Sequence, residues 1–171
     1  MSSADYDQIR ASLNAAAASR HPKGAVSKLS YEFEDAYLTD EVVPQGAFDL
    51  FKEIFSDQRL SALPGLSSFI AAFFTDFEKL SKQQRDELLD VFANGAGHYS
   101  DELTRHAIGD LVARKYSPEQ AVRFFKNLIA GGGAYQKQIA LTGADILMKR
   151  VDPNAPLYEE IDSIWSDAQN V

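Results

Sequence analysis

His98, Glu102, His106 and Asp110 stand four residues apart in GAGHYSDELTRHAIGD, a stretch holding two of the chain's three histidines. Imidazoles and carboxylates are the groups that ligate divalent ions or move protons, and residues i and i+4 of a helix share a face. The spacing argues against that chemistry. Histidine pairs that clamp a metal on one helix sit four apart, as in H-E-x-x-H, whereas His98 and His106 are eight apart. The Glu-x-x-His spacing of di-iron bundles is absent too, because Glu102 to His106 is one residue too long. His98 moreover belongs to a turn beside Ser100, the expected cap of the next helix. The row is read as a polar or partner-facing helix surface, with no catalytic residue, metal or cofactor assigned. A metal-binding protein or enzyme using these four residues is the competing expectation.

The elements that must carry this row come from a repeat. At an offset of 36 residues, Ser81, Gln84, Leu88, Gly95, Gly97 and Tyr99 meet Ser117, Gln120, Phe124, Gly131, Gly133 and Tyr135 without a gap. Leu103, Leu111 and Arg114 continue onto Ile139, Leu147 and Arg150. Self-similarity at a fixed period of this size marks a helical array. Each unit reads as two helices. Ser81 and Ser117 are N-caps with a glutamine three residues on, and Pro118 stands at a first helical position. The glycines of NGAGH and AGGGAY end the first helix of each unit, where a left-handed cap favours glycine. They lack the Gly-Lys-Ser/Thr ending of a phosphate loop and the preceding strand of a dinucleotide site. The second helix carries Leu103, Ala107 and Leu111, or Ile139, Ala144 and Leu147, as its apolar stripe, and mid-helix Gly109 and Gly143 suggest close helix approach. The histidine row does not repeat: its aligned positions are Ala134, Gln138, Thr142 and Ile146.

An earlier unit with seven phenylalanines starts at Pro44, and its aromatic stripe reads as core. The expected layout is one all-α domain over 1–171. It has N-terminal helices in 1–43, repeat units 44–80, 81–116 and 117–151, and a closing helix in 152–171 that Trp165 docks. About eight or nine helices and no strand are expected.

The second helices, TRHAIGDLVARK and KQIALTGADILMKR, resemble the HEAT-like family of helical repeats. That resemblance implies a right-handed stack of antiparallel helical hairpins (an α-solenoid), with second helices lining the concave side. It also implies a scaffold or binding surface more often than an enzyme.

Charge narrows the partner. The formal net charge is −8, and between Leu29 and Phe51 there are six acids and no Lys or Arg. Five more acids follow Val151 unopposed, whereas residues 82–150 carry ten basic and eight acidic residues. Phosphate backbones and anionic membranes need clustered Lys and Arg, so neither is an expected partner. A basic protein is. Tyr31 and Tyr37 lie among Glu32, Glu34, Asp35, Asp40 and Glu41, and aromatics beside carboxylates suit Lys- or Arg-rich surfaces. The chain has no cysteine, and its start lacks the basic and apolar regions of a secretory signal, so a cytoplasmic location is expected.

A small, acidic, cysteine-free HEAT-like chain is similar to some immunity proteins of bacterial polymorphic-toxin and contact-dependent inhibition systems. The similarity implies occlusion of a cognate toxin domain, often a basic nuclease. Residues 31–41 and the row His98, Glu102, His106 and Asp110 are then the expected contacts. A helical-repeat adaptor that holds apolar segments is the third expectation.

Overall fold

Serine caps begin the helices where the repeat places them. In the computed structural model, which describes residues 3–170, the Ser81 hydroxyl accepts the Gln84 N–H at 3.1 Å and the Gln84 side chain accepts the Ser81 N–H at 2.9 Å. This reciprocal pair satisfies two donors that the helix itself leaves free, and such a cap is worth about 0.5–2 kcal/mol. Ser117 also accepts the Gln120 N–H, at 3.2 Å, but its hydroxyl takes the glutamine carbonyl for itself. Residues 1, 2 and 171 of the expected domain span lie outside the described residues.

Nine α-helices and no strand form among the described residues. They are α1 (Ser3–Ala17), α2 (Pro22–Asp35), α3 (Gln45–Ser56), α4 (Ser67–Thr75), α5 (Lys82–Gly95), α6 (Glu102–Lys115), α7 (Pro118–Gly131), α8 (Ala134–Arg150) and α9 (Pro156–Gln169). Their contacts include two series, joined to each other by α1 on α2, α7 on α8 and α8 on α9. Helices α2, α4, α6 and α8 touch in succession, and so do α1, α3, α5, α7 and α9. The buried side chains form one connected cluster from Tyr6 to Ala168. None of these helices is long and apolar enough to cross a membrane.

Rings fill the first part of that cluster. Phe51 of α3 stacks on Phe73 of α4 and on Phe55, each at 4.3 Å between centroids, and Phe33 of α2 meets Phe69 at 5.3 Å. Phe92 of α5 closes edge-on against Phe55 at 5.8 Å. Small residues set the spacing in the second part. A β-carbon on Gly109 would stand 2.8 Å from the Ile139 carbonyl of α8, and one on Gly143 would run into the Phe125 ring. Trp165 packs on the core, with its indole N–H donated to Asp145 at 2.8 Å.

Four details differ from the sequence reading. Gly132 has the expected left-handed backbone, φ +75°, but Gly95 does not, with φ −86°. Gly95 is small for another reason: the Tyr99 hydroxyl occupies the place its β-carbon would take, on its way to the Phe55 and Val91 carbonyls. The cap position of α6 is Asp101, and Ser100 donates instead to the Ala62 carbonyl at 3.2 Å. Pro44 precedes α3 as its cap, one residue before the helix begins. Leu103 is 52 % exposed although Ile139, its repeat partner, is buried. At the start of α6, Thr104 and Arg105 take the inward positions, which turns Leu103 to solvent.

Candidate functional site

The histidine row does not act as a unit. His98 lies in a short 3-10 turn, Ala96–His98, before α6, and it is exposed. Glu102 and His106 are exposed on α6 and line a groove of about 180 Å³ against Gln138, Leu141 and Thr142 of α8. Asp110 turns the other way. It lines a groove of about 250 Å³ with Ile70, Ala71 and Phe74 of α4, and it accepts the Arg114 Nε–H at 2.6 Å. Each four-residue step on a helix drifts by about 40°, so two steps carry a side chain from one neighbouring groove toward the other. Among the described residues no three His, Asp or Glu side chains come close enough to hold one metal ion.

Arg105, which lines the first groove with Glu102 and His106, is the residue that spacing alone missed. Its side chain is buried, and its Nη1 donates to the carbonyls of Tyr99 and Ser100 at 2.8 Å each. The guanidinium also lies 4.5 Å over the Tyr135 ring of α8. A buried cation is tolerated where carbonyls and a ring face replace water. The signal was an arginine at an inward helical phase.

The acidic run is ordered differently. Tyr31, Glu32 and Asp35 are exposed on α2, Glu41 is exposed in the following turn, and Glu34 and Asp40 are half-buried. Tyr37 is fully buried, edge-on to Phe33 at 5.5 Å and beside Phe73. Its ring has no surface to offer a partner. The i, i+4 spacing of Phe33 and Tyr37 behind Val26 already marks that face as core. Burial and the nearby Asp76 raise the Glu34 carboxyl above its ordinary range, and burial with the same acids raises the Tyr37 phenol.

Nine carboxylates outside this run are in ion pairs among the described residues, while others, Asp152, Glu159, Asp162 and Asp167 among them, are in none. Asp7 and Glu53 pair with Arg10, Asp49 and Glu87 with Lys52, Asp86 with Lys82, and Asp110 with Arg114. Asp76 meets Lys79, Glu78 meets Arg85 and Glu160 meets Lys126. Glu32, Glu34, Asp35, Asp40 and Glu41 form no ion pair among the described residues. Exposed pairs stabilise a fold by only about 0–1 kcal/mol each, so the difference lies in the field the surface projects and not in stability.

Compared with models of protein families, with curated proteins and with solved structures, the chain finds no match.

Proposed function

We propose that this chain is a binding module that neutralises a basic protein partner by covering it. The observation that carries the reading is the cluster of five carboxylates at 32, 34, 35, 40 and 41, in no ion pair among the described residues and in a stretch from Leu29 to Phe51 without Lys or Arg. Concentrated negative potential speeds encounter with a basic surface and disfavours acidic competitors. The succession of contacts within each series supports a HEAT-like stack as the scaffold. Helices α2 and α6 both pack on α4 and run parallel to it, so the acidic run, at the C-terminal end of α2 beside Lys79, and Glu102, at the N-terminal end of α6 near Ala62, stand at opposite ends of the stack. In its narrowest form the proposal is a cytoplasmic bacterial immunity protein that occludes a cognate toxin, with a nuclease as the natural basic target.

The test is affinity capture from native lysate with the tagged chain, at low and high salt. One small basic protein at near-stoichiometric ratio, released by salt and lost on the double substitution Glu32→Lys, Asp35→Lys, is the expected result. Capture of many unrelated chains, unaffected by salt, would favour an adaptor instead. The α4–α6 groove lined by Ile70, Ala71, Phe74 and Ala107 is the feature on which that second reading stands.

A further inference from the structure

Four large apolar side chains are conspicuously exposed among the described residues, and three of them, Tyr31 (66 %), Leu38 (55 %) and Val42 (64 %), fall within twelve positions. Those same positions hold the five unpaired carboxylates. Three exposed apolar groups on a segment this short are a patch and not scattered surface residues.

The segment is held in this state. Backbone bonds from Ala36, Tyr37 and Leu38 to Glu32, Glu34 and Asp35 continue the α2 path by one turn, which places Tyr31, Asp35 and Leu38 at i, i+4 and i+7 on one face. Beyond it, the Lys79 ammonium donates to the Leu38 carbonyl at 3.0 Å, and the Val43 N–H donates to the Lys79 carbonyl at 2.9 Å. The Gln84 amide, fixed by its capping role, donates to the Val43 carbonyl at 3.2 Å. Tyr37 and Val43 are buried. With both anchors inward and the Leu38 and Val43 carbonyls tied to Lys79 and Gln84, Leu38 and Val42 are held on the surface. Apolar side chains presented on a fixed backbone lose little further freedom on binding, which favours affinity.

Charge selects the occupant. A second copy would bring another net charge of −8 against the same carboxylates, and a nucleic acid would bring phosphates. Resting on the basic-partner reading above, we infer that residues 31–42 are a docking edge for an amphipathic basic segment of another protein. Its large apolar side chains cover Tyr31, Leu38 and Val42, and its Lys or Arg side chains meet Glu32, Asp35 and Glu41. The carboxylates then govern the rate of encounter and its salt dependence, while the apolar trio governs residence.

The test is an NMR titration of the full ¹⁵N-labelled chain with two synthetic peptides of equal length and charge. One alternates Leu and Lys in helical spacing, and in the other every Leu is Ala. The expected result is that the Leu/Lys peptide moves the amides of 31–42 and binds roughly tenfold tighter or more than the Ala/Lys peptide, as burial of a few apolar side chains requires. The double variant Leu38→Ser, Val42→Ser should abolish that difference with its thermal midpoint intact, since neither side chain is in the core. Equal binding of both peptides at 31–42 would overturn the docking edge and leave the basic-partner reading standing. No shift at 31–42 with either peptide would overturn both. Sedimentation showing a dimer that Leu38→Ser dissolves would replace the basic segment with a second copy.

Discussion

The region of α2 to α4 and the region of α6 to α8 use similar helix contacts with opposite fillings. In the first, rings from three helices stack at centroid distances down to 4.3 Å, and the space between helices is set by what fills it. In the second, Gly109 and Gly143 let backbone and ring approach where no β-carbon fits, and the space is set by what is missing. A core filled by rings tolerates drift, because one large apolar side chain substitutes for another as long as the volume is kept. A contact set by absence tolerates none. The two glycines are not repeat partners, since Asp145 stands 36 residues after Gly109 and Ala107 36 before Gly143, so each fits a contact of its own.

Phe51→Ala is the severest way to probe the contrast. Phe51 is fully buried and stacked on two rings, so its loss should destabilise the fold by about 3–5 kcal/mol, read as a drop in urea midpoint. A cost near that of an exposed residue would mean the rings pack loosely and the contrast fails. A matched pair of glycine changes comes next. Gly143→Ala drives a methyl into Phe125 and should cost about 1–3 kcal/mol. Gly131→Ala meets nothing within 4 Å at the end of α7 and should stabilise by about 0.4–1 kcal/mol. Equal signs for the two substitutions would show that helix propensity, and not close approach, explains these glycines.

The smallest effect lies at the edge of the ring cluster. Glu34 holds its proton more tightly when folded than when unfolded, because burial and Asp76 disfavour its charge. Stability therefore falls as pH rises from the ordinary carboxylate range, about 4.3, through the raised native value, and stays lower above it. Glu34→Gln removes that penalty. The variant should be more stable than the parent at neutral pH by under about 1 kcal/mol and indistinguishable at about pH 3. A gap that widens in acid would reverse the sign and contradict the stated cause.

How far the sequence could be read follows the range of the forces involved. The Ser81 and Ser117 caps, Pro118 at its first turn and the buried stripe of Ile139, Ala144 and Leu147 are set by neighbours within a few positions, and all were legible. Tyr37 was legible as well, by its spacing from Phe33, although its acidic neighbours drew it toward the surface reading. The exposure of Leu38 and Val42 was not. It depends on Lys79 and Gln84, each 41 residues from the carbonyl it holds, and no local pattern announces such a tie. The divided histidine row was hidden for a similar reason, since which groove a side chain enters depends on the helices beside it.

The path from Phe55 to Tyr135 has a consequence for how such a chain changes over evolution. Tyr99 reaches back to the Phe55 carbonyl of α3, its own carbonyl is held by Arg105, and Arg105 reaches forward beneath Tyr135 of α8. Each unit thus stores half of its neighbour's fastening. Arrays with interchangeable units lengthen or shorten by whole copies, but excising residues 81–116 here would bring Tyr135 to the place of Tyr99 and Leu141 to the place of Arg105, with no cation to hold the turn. The number of units is locked, and new binding preferences must arise by changing side chains on the surface in place.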